Sequence, residues 1–456
     1  MNQKPYDLTM FKDYDVRGTY PDQLNGQVAE AIGYAIVKKF HPKTVAVCRD
    51  MRLSGEEIRD GLVRAFVASG VNVFDAGLTG TEQSYFISGT RDYDMSIMIS
   101  ASHNPPNYNG LKIVLKGPIA VSGDSGLADI KAMVNDEPPA PAAIPGVVTS
   151  IDVFEEWKKK VLSFIDVSSL KPLKIAIDAG NGMAGKLVPM IFDGLPFQLT
   201  TMYMDPDGHF PNHTPNPLIE TNNKDLVSKV LETGADIGLT FDGDADRVFF
   251  IDDTGRFVSG TIVTALLARH ILKSHPGEYV LYSAVCGRIV PQTIEKFGGK
   301  YERVRVGHSF MKNFMRKFHA VFAGEHSGHY YHRDFFNSES GVLTALMVLS
   351  LLSHEGRKLS EIVNELDVYP ASGELNFEIK DIPGAMEAIR GHYPDAKNVD
   401  ELDGLSIWYE SFWVNVRSSK TEPLLRLNLE ADTKELLKQK TDDLVMFVES
   451  LGGSKK

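Results

Sequence analysis

The hydrophobic and polar positions of the chain repeat one plan three times: an apolar strand, a helical pattern, and a further strand that runs into a polar loop. In the first segment, the apolar run at 44–50 precedes an amphipathic helix over 54–70, which begins at a serine with a glutamate three residues later and ends at a glycine. The other two segments cover 173–247 and 278–329. Strands that alternate with helices in this way predict three α/β units.

The carboxyl-terminal part departs from this plan. Strands are predicted around 413–417 and 424–430, with a polar loop between them and a helix from Thr433 to about residue 451, which favours an α+β domain. The Pro- and Ala-rich segment 137–146 is typical of a linker, and 367–373 of a boundary. We therefore predict an α/β protein of four domains around one central cleft, with the smaller α+β domain last. The predicted domain ranges are 1–150, 151–255, 256–368 and 369–456.

Length and composition fit a multidomain globular protein. The chain has 456 residues, 43% of them hydrophobic, which is enough for several cores. The polar start of the chain predicts no signal peptide. Its longest apolar stretch, 341–353, is too short to span a membrane, so we predict no membrane association. Two cysteines without metal-type spacing fit a cytoplasmic location. The net charge of −12 argues against nucleic acid as a partner, but a locally basic cleft could still bind a small anion.

Each repeated segment contains a loop of polar residues after a strand: ASHNP at 101–105, DGDADR at 242–247 and GEHSGH at 324–329. Ligands collect at the carboxyl ends of the strands in α/β sheets, so we expect the three loops to share one cleft. The alternative for each loop taken alone is an ordinary turn, since Asn, Asp, Gly and Pro favour turns.

The second loop is a candidate metal site. Asp242, Asp244 and Asp246 alternate, so on an extended strand end their carboxylates would share one face and repel unless a cation neutralised them. Hard oxygen ligands suit Mg²⁺ or Ca²⁺. An EF-hand is excluded because Arg247 replaces its required glycine and Asp253 its bidentate glutamate. Mg²⁺ fits better, because it commonly takes a few carboxylates and completes its shell with water or phosphate oxygens. A solvated turn is the alternative.

The first loop places Ser102 where a strand end would expose its hydroxyl to substrate. With a metal to bind phosphoryl oxygens, Ser102 is a candidate carrier of phosphate. Its surroundings, SASHN, do not match the G-x-S-x-G motif of hydrolases. We do not expect His103 to act as its base, because neighbours in sequence generally point apart. Lys112 is a candidate catalytic base or phosphate contact, with a surface lysine as the alternative.

A fourth polar run, RSSKTEP, begins at Arg417 after a predicted strand. A guanidinium, hydroxyls and backbone N–H groups in such a run can cradle a phosphate. A polar hairpin turn without a ligand is the alternative.

These four motifs together, in this order and spacing, resemble those of the α-D-phosphohexomutases, and GEHSGH resembles most the phosphomannomutase/phosphoglucomutase branch. The resemblance runs over the whole chain and includes YDVRG near the start. It implies a heart-shaped molecule of four domains, three α/β and one smaller α+β, that all line one cleft.

The resemblance also implies roles for single residues. Ser102 would be the phosphoserine, and the three aspartates would hold Mg²⁺ together with an oxygen of that phosphate. Lys112 and His329 would be the acid and base groups, and Arg247 a further catalytic residue. The implied sugar-hydroxyl contacts are Glu325 and Ser327, the implied distal phosphate contacts are Arg417, Ser419, Lys420 and Thr421, and the remaining implied cleft residues are Tyr14, Arg17 and His308.

The implied reaction exchanges a phosphoryl group between Ser102 and a hexose 1-phosphate or 6-phosphate, through a hexose 1,6-bisphosphate that turns end for end. Mannose is the expected sugar, with glucose as a further substrate. The alternatives are a phosphoglucosamine mutase, a metal-assisted sugar-phosphate phosphatase and a catalytically dead sugar-phosphate sensor. We expect the enzyme to be a monomer or a homodimer whose only partner is the hexose phosphate.

Overall fold

The structure is a computed structural model that describes residues 5–419 and 424–456. Its sheets and helices form four consecutive domains. None of the described helices is both long and apolar enough to cross a membrane.

The first domain is built on a mixed sheet. Its strands are β1 (Val16–Thr19), β2 (Thr44–Arg49), β3 (Asn72–Leu78), β4 (Met95–Ile99), β5 (Tyr108–Leu115), β6 (Ile119–Ala120) and β7 (Val148–Ser150), and its helices are α1 (Gly26–Phe40), α2 (Gly55–Ala68), α3 (Thr81–Thr90) and α4 (Leu127–Met133). The strand order is β1-β5-β4-β2-β3-β7, with β6 beside β5. The predicted linker at 137–146 contains no helix or strand and leads into β7, which still pairs with β3.

The second domain repeats the plan in a smaller form. It contains α5 (Phe154–Leu162), β8 (Leu173–Asp178), α6 (Ala184–Phe192), β9 (Phe197–Met202), α7 (Lys224–Thr233), β10 (Ile237–Phe241), β11 (Val248–Asp252) and β12 (Phe257–Val258). The strand order is β12-β11-β10-β8-β9, and the pairs that involve β8 are parallel.

The third domain has the same central arrangement. It contains α8 (Gly260–Ser274), β13 (Tyr279–Ser283), α9 (Ile289–Lys296), β14 (Lys300–Val304), α10 (His308–Phe318), β15 (Phe322–Gly324), β16 (Tyr330–His332), β17 (Ser338–Glu339), α11 (Gly341–Glu355) and α12 (Leu359–Asn364). The strand order is β14-β13-β15-β16-β17.

In its described residues, 369–419 and 424–456, the fourth domain is an antiparallel sheet with two helices, as predicted for an α+β domain. It contains β18 (Ala371–Glu378), α13 (Ile382–His392), β19 (Asn398–Asp400), β20 (Leu405–Trp408), β21 (Phe412–Ser418), β22 (Leu424–Ala431), α14 (Lys434–Ser450) and β23 (Ser454–Lys455). The strand order is β19-β20-β21-β22-β18-β23.

The first three sheets share one topological core. Three parallel strands lie in the orders β3-β2-β4, β9-β8-β10 and β14-β13-β15, and in each case the last strand turns into an antiparallel neighbour, β5, β11 or β16. The loops that make these turns are the three predicted from polar residues after strands. They therefore occupy equivalent positions, which explains why one strand–helix plan leads to three polar loops of the same kind.

The hydrophobic core joins the first three domains but not the fourth. Met98, Leu187 and Leu346 come from three different domains and are fully buried in one continuous cluster. The fourth domain packs its own cluster, in which Phe377 and Leu444 are fully buried. Apolar side chains removed from water are the main favourable term in folding, so the first three domains stabilise one another directly.

The start of α2 differs from the sequence prediction. Ser54 does not cap the helix; its hydroxyl accepts a hydrogen bond from Asn109 Nδ2 over 2.9 Å instead. Glu57, the expected partner in a capping box, accepts hydrogen bonds from the Tyr20 hydroxyl and from the backbone of Gly26. The predicted capping box is wrong because long-range partners compete for both side chains.

Candidate active site

The three polar loops meet in one cleft that also reaches the fourth domain. Tyr14, Thr214, His308 and Arg417, one residue from each domain, all line a cavity of about 1100 Å³. The second and third loops contact each other directly, because Arg247 and His329 form an isolated β-bridge and Val248, the next residue, donates through N to Gly328 O over 3.3 Å. The single cleft expected from the sequence is present.

Ser102 lies in the loop that follows β4, and its side chain faces the second domain. Its hydroxyl donates to Asp242 Oδ2 over 2.5 Å, and its backbone N–H donates to Ser100 Oγ over 2.8 Å. The backbone of Ser102 is left-handed, with φ of 50°, a conformation that costs roughly 1 kcal/mol or more for a residue with a side chain. The loop therefore holds this hydroxyl in a fixed, strained position against a carboxylate.

His103 lies closer to Ser102 than the sequence suggested. Its Nδ1 is 3.3 Å from Ser102 Oγ and accepts a hydrogen bond from Arg247 Nη2 over 2.8 Å. The expectation that the two neighbours point apart is wrong, because the left-handed backbone at Ser102 brings them to one side. Burial, with the charges of Arg247 and Arg17, lowers the pKa of His103 well below its ordinary value, so the ring is neutral.

Asp242, Asp244 and Asp246 converge, although the local backbone is not the extended strand that the sequence suggested. They lie in a turn with Ala245 in a left-handed conformation, at φ of 63°. One carboxylate oxygen from each lies within 4.8 Å of the others, and all three side chains are buried. The clustering of the three carboxylates, which the alternation of aspartates predicted, is therefore present, but it results from a tight turn and not from an extended strand.

The chemistry of this cluster fits a metal ion. Within the described part of the chain, Oδ1 of Asp244 and Oδ1 of Asp246 are buried without a hydrogen-bond partner. Burial, together with the neighbouring carboxylates of Asp246 and Asp244, raises the pKa of Asp242 well above its ordinary value. A cation bound by these oxygens would satisfy both observations, and hard carboxylate oxygens suit Mg²⁺.

Lys112 lies on β5 and reaches the same cluster. Its ammonium is 2.6 Å from Oδ2 of Asp244 and 2.6 Å from Oδ2 of Asp246, and it is also 3.3 Å from Thr81 Oγ1. Burial alone would lower the pKa of Lys112, but the charges of Asp244 and Asp246 outweigh it and raise the pKa. The alternative of a surface lysine is excluded, because Lys112 is buried.

Arg247 connects the serine, the aspartates and the third loop. Its Nε donates to His329 Nε2 over 3.1 Å and lies 3.3 Å from Asp242 Oδ2, while its Nη2 is 3.4 Å from Ser102 Oγ. Ser327 Oγ is 3.0 Å from the other ring nitrogen of His329. Burial first, and the charge of Arg247 second, lower the pKa of His329 well below its ordinary value. His329 is therefore a neutral imidazole at neutral pH.

The third domain contributes Glu325 and His308. Glu325 accepts hydrogen bonds from the Tyr331 hydroxyl over 2.6 Å and from Gly307 N over 3.0 Å, which fix its carboxylate at the edge of the cleft. His308 begins α10, and the Tyr14 ring meets it edge-on with the ring centres 5.2 Å apart. Burial and the nearby Lys312 lower the pKa of His308 well below its ordinary value.

Arg17 lies on β1 of the first domain and holds the loop that contains Ser102, here called the serine loop, by hydrogen bonds. Its Nη1 donates to the carbonyl oxygen of Ala101 and to Asn104 Oδ1, both over 2.6 Å. Its Nε donates to Asp15 Oδ2 over 2.9 Å. The guanidinium also lines the cleft, so it presents positive charge next to Ser102.

The fourth domain faces the other three across the cleft. Arg417 is buried at the end of β21, and Ser419 follows it, also buried. Lys420 and Thr421, which the sequence also assigned to a phosphate contact, lie outside the described residues. Arg426 on β22 stands directly opposite Arg417 in the strand register. This second arginine was not found by sequence reasoning.

Sequence reasoning also missed Arg52, which holds the serine loop by its backbone. Its guanidinium is fully buried and donates to four carbonyl oxygens of that loop. The bonds run from Nη2 to Ser102 O (2.8 Å) and Asn104 O (2.6 Å), and from Nη1 to Pro105 O (2.7 Å) and Tyr108 O (2.9 Å). Its position two residues after Asp50 and just before α2 gave no local signal of this role.

Comparison with known proteins identifies the class. Family models of the phosphoglucomutase/phosphomannomutase α/β/α domains I, II and III match residues 8–139, 154–255 and 259–369, and the model of the C-terminal domain matches 374–445. The chain belongs to this family.

Individual relatives and a solved structure agree with this family assignment. A phosphohexose mutase of Xanthomonas campestris pv. campestris (strain B100) is 38% identical over 96% of this chain and 98% of the relative. A phosphomannomutase of Salmonella montevideo is 37% identical over 94% of this chain and 98% of its own. The crystal structure of a phosphoglucomutase/phosphomannomutase family protein from Burkholderia thailandensis has a TM-score of 0.90 at 31% identity, covering 99% of this chain and 100% of that one.

The protein is therefore an enzyme, a phosphohexomutase of the isomerase class. Family, four-domain α/β fold and phosphohexomutase activity were predicted from the sequence, and all three are confirmed.

Proposed function

We propose that the enzyme interconverts hexose 6-phosphate and hexose 1-phosphate, with mannose as its main sugar and glucose as a further substrate, and that Ser102 carries the phosphoryl group. The observation that carries this proposal is the Ser102 hydroxyl 2.5 Å from Asp242 Oδ2, within a buried aspartate cluster and across one cleft from Arg417. Relatives named phosphomannomutase support mannose as the sugar.

The exchange consists of two phosphoryl transfers. In the first, the P–O bond to Ser102 Oγ breaks while a P–O bond forms to the free hydroxyl of the bound sugar phosphate, whose proton passes to a base. The product, a hexose 1,6-bisphosphate, turns so that its other phosphate faces Ser102. In the second, that phosphoryl group moves to Ser102 Oγ, and the sugar oxygen it leaves takes a proton.

Asp242, Asp244 and Asp246, with an oxygen on Ser102, would hold Mg²⁺. When bound, the ion supplies positive charge that offsets the charge on the transferred phosphoryl group. Arg247, which lies 3.4 Å from Ser102 Oγ through its Nη2, adds a guanidinium on the same side.

Lys112 and His329 are the proposed acid and base groups. They reach the site from different loops, Lys112 against Asp244 and Asp246 and His329 beside Arg247. The second transfer is chemically the reverse of the first. The group that takes a proton from the sugar hydroxyl in a transfer to the sugar therefore returns a proton to the sugar oxygen in a transfer back to Ser102.

The rest of the cleft binds the sugar phosphate. Glu325 and Ser327 would contact sugar hydroxyls, and Tyr14, Arg17 and His308 would line the path between the two phosphate positions. The proposed contacts of the distal phosphate are Arg417, Ser419, Lys420 and Thr421. Two separate phosphate positions in one cleft would allow either end of the sugar to face Ser102 while the bound substrate displaces water.

We also propose that the enzyme works in the cytoplasm as a monomer or homodimer. The two cysteines, Cys48 and Cys286, are buried free thiols, which suits a reducing compartment. Light scattering after gel filtration checks the oligomeric state.

A phosphatase would use the same serine and metal but release inorganic phosphate. We expect purified enzyme to contain a fraction phosphorylated at Ser102, and added hexose 1,6-bisphosphate to raise both that fraction and the activity. Peptide mass spectrometry beside a phosphate-release assay measures both quantities, with Ser102→Ala as the variant and Ser125→Ala, a serine of the same domain outside the cleft, as the control. Label on another residue, or inorganic phosphate equal to the sugar phosphate consumed, contradicts the mutase proposal.

Sugar preference is tested on mannose 1-phosphate, glucose 1-phosphate and glucosamine 1-phosphate side by side. We expect the highest kcat/KM with the mannose compound and measurable turnover with the glucose compound. A higher value for glucosamine 1-phosphate would make the enzyme a phosphoglucosamine mutase instead.

A further inference from the structure

Glu374 on β18 places its carboxylate between the two arginines of the fourth domain. Its Oε2 is 2.8 Å from Arg417 Nη2, and its Oε1 is 3.4 Å from Arg426 Nη1. Each carboxylate oxygen therefore faces a different guanidinium. A phosphate group held by two guanidiniums offers them two oxygens in the same way.

Strand register explains why these three side chains meet. Arg417 and Arg426 are directly opposed on β21 and β22, and Glu374 on β18 opposes Asn428, two residues beyond Arg426 on the same face of β22. Directly opposed and diagonal neighbours on one face of an antiparallel sheet are close enough to interact. The three side chains also line the cleft, so a ligand in the cleft reaches them.

Glu374 is the most exposed of the three side chains, although Arg426, at 21%, comes close to it, and this exposure leaves room for its carboxylate to move. Its side chain is 25% exposed, whereas Arg417 is 7% exposed. A second carboxylate, Asp403, lies 4.0 Å from Arg417 Nη1, but its Oδ2 accepts a hydrogen bond from Val306 N, which ties it to the third domain.

We propose that Glu374 is a built-in counter-ion that competes with the distal phosphate of the substrate for Arg417 and Arg426. This inference rests on the proposed function, in which Arg417 binds that phosphate. When the sugar phosphate binds, the Glu374 carboxylate leaves the guanidiniums and the phosphate takes its place. When the phosphate leaves, Glu374 returns.

Such a competitor suits a reaction in which the bound intermediate must turn around. The 1,6-bisphosphate has to leave the distal contacts once in every turnover, and the loss of the closest anion from the buried guanidinium of Arg417 would oppose that release. A carboxylate that returns to them offsets this cost. The same competition weakens binding of the sugar phosphate in the ground state. Tight binding of the ground state does not by itself speed the chemical step, so this weaker binding need not slow turnover.

The test compares Glu374→Gln with the wild-type enzyme by isothermal titration calorimetry, with inorganic phosphate and with glucose 1-phosphate as the probes. Glutamine keeps the size of the side chain and removes the competing charge. We expect both probes to bind about three- to tenfold more tightly, in line with the removal of one partly screened charge from the site. In steady-state assays, KM for the sugar phosphate should fall while kcat does not rise. Glu387→Gln, an exposed glutamate of the same domain paired with Arg390, is the matched control and should change neither quantity.

Unchanged or weaker binding of both probes by Glu374→Gln overturns the inference, because Glu374 would then be neutral or would orient the arginines rather than compete for them. Arg417→Ala separates this failure from failure of the proposed function. If Arg417→Ala weakens binding of both probes but Glu374→Gln does not strengthen it, only the competition is wrong. If Arg417→Ala leaves binding unchanged, the distal phosphate site itself is wrong and the inference falls with it.

Discussion

Arg52 donates through Nη2 to the backbone carbonyl oxygen of Ser102 over 2.8 Å, so a buried guanidinium of one loop fixes the main chain of the proposed phosphate carrier. The same side chain donates to three further carbonyl oxygens of that loop. Lysine keeps the positive charge but lacks the forked donors that reach several carbonyls at once.

We therefore expect Arg52→Lys to lower kcat by about ten- to a hundredfold through misplacement of Ser102, and KM to change little, since the proposed contacts of the distal phosphate lie on another domain. The free energy of unfolding should fall by about 2–4 kcal/mol from the lost hydrogen bonds. Steady-state kinetics, phosphoserine content and urea unfolding measure these effects. Arg49→Lys, a partly exposed arginine paired with Glu56, is the control. Unchanged kcat and phosphoserine content in Arg52→Lys would mean that the hydrogen bonds from Arg52 to the serine loop have no part in catalysis.

Asp244→Asn should slow turnover by at least about a hundredfold and raise the Mg²⁺ concentration needed for half-maximal activity. The change removes one of three clustered carboxylates and the charge that faces Lys112. Rates measured over a range of Mg²⁺ concentrations test this. Asp92→Asn, at an exposed aspartate, should behave as wild type. If Asp244→Asn keeps the wild-type rate and magnesium requirement, the metal assignment is wrong.

Arg417→Ala should raise KM for the sugar phosphate by about ten- to a hundredfold, as expected for the loss of a charge-assisted hydrogen bond of roughly 1.5–3 kcal/mol. The magnesium requirement should stay the same, because the aspartate cluster lies in the second domain. Initial-rate kinetics at several Mg²⁺ concentrations measure both quantities. Arg390→Ala, at a partly exposed arginine of the same domain that lies outside the cleft, is the control. An unchanged KM would remove Arg417 from the phosphate site.

Acid should destabilise the enzyme through His332. Burial lowers the pKa of His332 from 6.5 to about 3, and the ring is hydrogen-bonded to Thr344 Oγ1 over 3.0 Å. The unfolded chain takes up a proton below its own pKa and the folded chain does not, so the stabilisation is complete above pH 6.5 and is lost as the pH falls toward 3. The total loss is on the order of 4–5 kcal/mol.

His332→Gln should therefore unfold at a lower pH than the wild-type enzyme when both are titrated with acid and followed by circular dichroism. His209→Gln, at an exposed histidine, serves as the comparison and should unfold where the wild type does. Equal midpoints for His332→Gln and wild type would show that other groups control acid unfolding.

The parts of the site that follow local patterns were predictable from sequence. Apolar runs that end in turn residues located the three loops, and carboxylates at alternating positions located the cluster of Asp242, Asp244 and Asp246. The backbone that achieves this cluster was not predictable, because the left-handed conformation of Ala245 depends on its tertiary surroundings rather than on its own preference.

The residues that were missed have in common that their partners are distant in the chain. Arg52 is separated from Ser102 by 50 positions, and Glu374 from Arg417 by 43. Single charged residues next to a helix or on a strand are usually solvated, so nothing in their neighbourhood marks them. Only the assembled sheets bring such pairs together, and resemblance to a family does not supply them unless they belong to its motifs.

The separate core of the fourth domain has a consequence for how such enzymes diversify. Arg417, Glu374 and Arg426 belong to a domain with a hydrophobic core of its own, whereas Ser102 and Asp244 belong to domains that share one core with the third. Mutations that change how firmly the proposed distal phosphate site binds should therefore cost less folding stability than mutations beside the proposed phosphate carrier. Phosphate affinity should therefore be easier to alter in evolution than the transfer chemistry in this architecture.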